Sequence, residues 1–241
     1  MDKVVAVLDV LGFKNRLNQV GLPALRIGYD ALRNVVYRQE ARMLLNCAVP
    51  TGGVGRAVAF GMLDVNHELT SDSIFLWCSY SSFSFPPFCG LLLEFFCDVL
   101  ELGLPLRGGI AVGECDMDKA TRTYLGPTLN EAASVEASQE WIGMSFGPSF
   151  EHPPYNWFEP DQVLVYLAHR KLGNEEFVPG AVLDWPRKWR DTRQTPANQI
   201  IVQLNTDQKF SRYYENTMRF IEFSEQNKNW YHCGGNLSLK K

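Results

Sequence analysis

VVAVLDVLGF, residues 4–13, decides how the rest of the chain is read. Its first half is a short apolar run rich in β-branched residues, which predicts a buried strand. Asp9 interrupts that run. A carboxylate in such a setting costs several kcal/mol, by order of magnitude, unless something pairs with it. Gly12 follows at once, so the backbone can turn tightly beside the carboxylate and offer free N–H groups. A second acidic point, Asp72 in LTSDSIFLW (residues 69–77), opens another apolar run, Ser73 to Cys78. Two carboxylates at the ends of neighbouring strands can hold two divalent cations roughly 4 Å apart, the arrangement used in phosphoryl chemistry. The plainer alternative is that each Asp caps a turn or a helix.

Outward from these points, Leu17–Ala48 has helical spacing, with Leu25, Tyr29, Leu32, Val36 and Leu44 near one face. Pro50, Gly52 and Gly53 end it. Two strands are expected at Val54–Phe60 and Ser73–Ser79, joined by a polar loop of about ten residues, too long for a two-residue hairpin turn. Pro86 and Pro87 start a helix, Phe88–Leu102, and Leu106–Val112 is the next strand. Strand, helix, strand, strand, helix, strand is the ferredoxin-like βαββαβ order of an α+β fold, with Asp9 and Asp72 on adjacent central strands.

A further helix is expected over NEAASVEASQ, residues 130–139, after Pro127. Trp141–Pro160 reads as ordered loop, Val163–His169 and Gln199–Leu204 as strands. Thr206–Ser224 reads as a final helix packed through Phe210, Tyr213, Tyr214, Thr217, Phe220 and Ile221. The chain thus divides into a ferredoxin-like core, residues 1–140, and a C-terminal α/β extension, residues 141–241, packed on it.

Composition narrows the function. A formal net charge of −4 over 241 residues argues against general nucleic-acid binding. The six cysteines form no C-x-x-C pair, and three lie in apolar company, as buried thiols of a reducing cytoplasm do. The greasiest stretch, Phe88–Leu104, carries Glu94, Asp98 and Glu101, too much charge for a membrane span. No signal peptide is read at the amino terminus, and a soluble cytoplasmic protein is expected. The four histidines are scattered without metal-ligand spacing, and no G-x-x-x-x-G-K-[ST] loop is present.

VLDVLGF (7–13), SDSI (71–74), LRGGIAVGE (106–114) and YLGPTLNEAA (124–133), in this order and spacing, resemble the catalytic domain of class III nucleotidyl cyclases. The D-x-L-G-F start, the R-G-G strand and LDWPRKW (183–189) resemble most closely the bacterial pyrimidine cyclases of Pycsar anti-phage defence. The resemblance implies that Asp9 and Asp72, with the Val10 carbonyl, hold two Mg²⁺ or Mn²⁺ ions. It implies that the Gly12 and Phe13 amides cradle the β- and γ-phosphates, that Arg107 grips the triphosphate, and that Asn130 orients the ribose. It further implies a head-to-tail homodimer with sites at the interface, Asn130 and the base-reading positions coming from the partner.

Three departures stand out. The family's transition-state arginine, four residues after the asparagine, is Ser134 here, with Arg56 and Arg122 as candidate substitutes. The purine-reading Lys is replaced by Glu68 and the purine-reading Asp by Thr123. These replacements remove the purine readers, and the resemblance to the Pycsar branch implies a pyrimidine triphosphate as substrate, UTP before CTP on the family's tendency, giving cyclic UMP. An adenylate or guanylate cyclase of the same fold, or a degenerate nucleotide-binding homologue, is the alternative.

Overall fold

The computed structural model describes residues 2–13, 21–23, 26, 30, 33–35, 37, 65–150, 161–171, 180–205 and 207–228. Among them, residues 21–23, 26, 30, 33–35 and 37 are helical, in the stretch read as the first helix. The strand expected at Val54–Phe60 and the candidate Arg56 lie outside the described residues.

β1 (Lys3–Val10) is the centre of the sheet. It runs antiparallel to β3 (Ser73–Ser79) on one side and to β4 (Leu106–Gly113) on the other, with β2 (Asn66–Thr70) at the edge beside β3. The order β2-β3-β1-β4 is the ferredoxin-like arrangement expected of βαββαβ. One expectation fails here. The sequence predicts polar loop over Asn66–Thr70, yet these residues form a strand that reaches β3 through a two-residue turn, Ser71–Asp72, with Ser71 at φ 58°. An edge strand pairs through its backbone and can be polar, so NHELT gives no apolar signal.

The alternation of β1 builds two cores. Val4, Ala6, Leu8 and Val10 face a large cluster with Ile74, Leu76 and helix α1 (Phe85–Glu101). Pro86 and Pro87 occupy the first turn of α1, where missing N–H groups cost nothing. Phe88, Leu92, Phe95, Phe96 and Val99 are wholly buried, and Gly103, at φ 78°, ends the helix. Val5 and Val7 face the other way, against Trp77, Ala111, Met117 and Ala132. Asp9 lies on this second face.

Helix α2 (Pro127–Ser138) covers the second face, and its depth is set by one glycine. A Cβ on Gly109 would stand 2.1 Å from the Ala132 carbonyl oxygen and 2.7 Å from the Glu136 nitrogen. Beyond the short hairpin β5 (Asp116–Asp118) and β6 (Thr123–Leu125) and helix α2, the chain re-enters the sheet. β7 (Gly143–Phe146) pairs parallel with β4, then β8 (Val163–Tyr166) and β9 (Gly180–Leu183) extend the sheet to seven strands, with β9 between β7 and β8. Gly143–Phe146 therefore corrects the loop reading of that region.

Among the described residues the α-helices α3 (Trp185–Thr192), α4 (Ala197–Leu204) and α5 (Ser211–Gln226) follow. α4 replaces the strand expected at Gln199–Leu204. The β-branched Ile200, Ile201 and Val202 suggested a strand, but Ala197 and Ile201 are buried one helical turn apart while Val202 is 65% exposed. α5 packs through Tyr214, Thr217 and Phe220 as expected. Cys78, Cys89 and Cys97 are buried free thiols. Among the described residues, no helix is long and apolar enough to cross a membrane.

Candidate active site

Backbone register assembles the site at one end of β1. Asp9 stands opposite Ser73 on β3 and opposite Arg107 on β4. The Val10 amide donates to the Asp72 carbonyl (3.0 Å), tying the Ser71–Asp72 turn to the strand end. Gly12, at φ 76°, turns the chain out of β1, and Phe13 is helical. This conformation is easy for glycine and strained for other residues. The structure thus brings Asp9, Asp72, Val10, Gly12, Phe13 and Arg107 to one place.

Arg107 donates from Nε (3.1 Å) and Nη2 (3.0 Å) to Asp9 Oδ2. Glu136 Oε1, on the sheet-facing side of α2, lies 2.6 Å from the same Nε as an ion pair. It accepts no hydrogen bond among the described residues, the single Nε proton being aimed at Asp9. Side chains of all three are largely buried, at 20%, 16% and 10% exposure for Asp9, Arg107 and Glu136. Burial raises the Asp9 carboxyl above its ordinary value; Arg107 opposes the rise and the Asp72 charge adds to it. Burial pushes Glu136 up to about 7, again against Arg107 and reinforced by Asp9.

The region read as an extension supplies further walls. Lys171 donates from Nζ to the Ala137 carbonyl (2.5 Å) at the end of α2, and its pKa is lowered by burial and then by Arg107, against Glu136 and Asp9. The Phe210 ring stands 3.4 Å from where a Gly12 Cβ would be. Tyr213, one turn into α5, lies near Arg107; burial raises its hydroxyl pKa while the guanidinium opposes that rise. α5 is held there by Asn216 donating to the Glu140 carbonyl (2.8 Å) and Thr217 accepting from the Ile142 amide (2.8 Å). Glu136, Lys171, Phe210 and Tyr213 had no site role in the sequence reading.

The other expected residues lie apart. Asn130 and Ser134 are on the exposed side of α2, where the Ser134 hydroxyl donates to the Asn130 carbonyl (2.8 Å). Arg122 is exposed in the β5–β6 turn, at φ 55°. Thr123 is half-buried, its hydroxyl 2.9 Å from that of Thr121. Next to it, the Tyr124 hydroxyl donates to Glu68 Oε2 (2.9 Å), and the Tyr124 ring leans on Trp77 and Phe75, with centroids 5.5 and 6.4 Å away.

Divalent cations fit the donors present. The Asp72 carboxylate has no hydrogen-bond or ion-pair partner among the described residues, and Asp9 Oδ1 accepts no hydrogen bond there. Two hard carboxylates, one destabilised by burial, call for positive charge. Among the described residues no three His, Cys, Asp or Glu side chains gather as a metal set. A two-carboxylate site of this kind completes its coordination with phosphate oxygens and water.

No family model matches the chain, and no curated protein matches it. Solved structures that match the chain include nucleotide cyclase domains. A bacterial light-regulated adenylyl cyclase superposes with a TM-score of 0.46 at 10% identity, over 85% of this chain and 56% of that one. The guanylyl cyclase domain of the RhoGC fusion protein from the fungus Blastocladiella emersonii gives 0.40 at 12%, over 68% and 90%. The guanylyl cyclase Cya2 gives 0.36 at 14%, over 76% and 90%.

Proposed function

We propose that this protein is a nucleotidyl cyclase acting on a pyrimidine ribonucleoside triphosphate, UTP before CTP. The 3′-oxygen forms a bond to the α-phosphorus, the bond from that phosphorus to the bridging oxygen breaks, pyrophosphate leaves, and the 3′-hydroxyl proton passes to solvent. The observation that carries the reading is the meeting of Asp9 and Asp72 beside Arg107 at the mouth of the Gly12 turn.

Asp9, Asp72 and the Val10 carbonyl would hold two Mg²⁺ or Mn²⁺ ions. Bound there, such ions lower the pKa of the 3′-hydroxyl and neutralise the leaving oxygens. The Gly12 and Phe13 amides offer donors to the β- and γ-phosphates, and Arg107 adds a fixed positive charge. Asn130, exposed on α2, would orient the ribose in the site of a second copy, so the working unit is a homodimer. The Tyr124 hydroxyl is given to Glu68 Oε2, which supports the smaller base, since a purine reader needs its polar groups directed at the base. A role in anti-phage signalling is part of the same proposal, on the resemblance to Pycsar cyclases.

The test is incubation of the purified protein with ATP, GTP, CTP and UTP in competition, with Mn²⁺, and identification of the products. Cyclic UMP should dominate. Dominant cyclic AMP or GMP refutes the base assignment, and no cyclic product from any nucleotide refutes the activity.

A further inference from the structure

Arg107 is shared unequally between two carboxylates. Its Nε proton is aimed at Asp9 Oδ2, while Glu136 Oε1, buried and only 2.6 Å from that nitrogen, receives no hydrogen bond. A buried carboxylate oxygen left without a donor is costly, and so is a buried guanidinium that loses its carboxylate. The same Asp9 is one of the two carboxylates proposed to take a divalent cation. A cation there withdraws the partner that Arg107 uses in this structure.

We propose that Glu136 is the second holder of Arg107. When a divalent cation claims Asp9, the guanidinium turns its Nε–H to the waiting Glu136 oxygen and remains paired. Glu136 is thus a positioning residue, acting on the cation site and on the triphosphate through Arg107. Its place is fixed by the close seating of α2 over Gly109, which presses the Glu136 backbone against β4. Tyr213 borders the guanidinium as well. The inference rests on Asp9 being a cation ligand, as in the proposed function.

The test is a double-mutant cycle read in Mn²⁺ affinity, by electron paramagnetic resonance of free Mn²⁺, without nucleotide and at pH 8. Glu136→Asp keeps the charge and withdraws the carboxylate by one methylene, and Glu136→Gln keeps the size and removes the charge. Running both keeps the test readable if one folds poorly, which a melting curve reports. With no second holder, Mn²⁺ must strand Arg107, so each variant should bind Mn²⁺ about tenfold more weakly than wild type. Arg107→Ala removes the competitor and should bind Mn²⁺ more tightly than wild type. In that background the Glu136→Asp change should have little further effect, because nothing remains to be held. Equal weakening in both backgrounds overturns the inference, as does unchanged affinity in both. A wild type that shows the cycle yet makes no cyclic nucleotide loses only the proposed reaction; one that cyclises with additive effects loses only this inference.

Discussion

Gly109→Ala should damage both stability and turnover, and its size can be worked from the packing. The new methyl would lie 2.1 Å from the Ala132 carbonyl oxygen, 2.7 Å from the Glu136 nitrogen and 2.8 Å from the Val135 Cβ. None of these is the free end of a side chain. Reaching an ordinary contact of 3.4 Å or more requires α2 to retreat from β4 by more than 1 Å. Overpacking of this kind costs about 1–3 kcal/mol, and rigid backbone neighbours place it in the upper half. At roughly 2–4 °C per kcal/mol for a chain of this size, the melting temperature should fall by about 4–12 °C. α2 carries Glu136, and a displacement of about 1 Å near reacting groups can cost about 100-fold in rate. Thermal melts and a cyclase assay on the same preparation measure both. Gly108→Ala is the control, since its methyl meets Leu8 Cδ2 (2.3 Å) and Met144 Cγ (3.0 Å), side-chain atoms on the opposite face. It should lose less stability and keep its turnover. Unchanged melting and turnover in Gly109→Ala would refute the claim that this glycine sets the depth of α2.

Two more outcomes follow from the geometry. Asp184 caps α3 through the Arg187 amide (3.3 Å) and accepts from Ser224 Oγ (2.5 Å); burial pushes its carboxyl up to about 6 against those hydrogen bonds. Its folded pKa lies above the unfolded value, so this group favours folding at low pH and loses that contribution as pH rises from about 4 through 6. Asp184→Asn should remove on the order of 2–3 kcal/mol of that fall, read as a flatter pH dependence of urea unfolding than wild type; parallel curves would contradict it. For the homodimer, inactive Asp72→Ala mixed with weakly active Asn130→Ala should restore one good site per heterodimer. Verified subunit exchange with no return of activity would place both halves in one chain.

What the sequence made legible follows from where packing is one-sided. β1, β3, α1 and β4 bury continuous or periodic apolar faces, so Val4–Leu8, Ser73–Ser79 and Phe88–Val99 could be read directly. β2 was hidden because NHELT earns its strand state from pairing with β3, a tertiary effect that overrides its polar composition. Asp9 was legible as a charge in an apolar strand. Glu136 was not, because one Glu in AASVEAS reads as a solvated helix position. A signal was nonetheless present: Thr128, Ala132, Val135 and Glu136 fall at i, i+4, i+7 and i+8, so the carboxylate lies on the packed stripe.

That stripe bears on how one helix can serve two sites. Asn130 and Glu136 are six residues apart, which at 3.6 residues per turn separates their directions by about a third of a turn. Glu136 therefore faces β4 and Arg107 in its own chain, while Asn130 is exposed. In the proposed dimer, α2 would carry the arginine's second holder inward and the ribose-orienting amide outward to the partner. A shift of α2 then perturbs both sites of the dimer at once. Mixing Gly109→Ala with wild type should accordingly leave heterodimers impaired at both sites, unlike the Asp72→Ala pairing, which spares one.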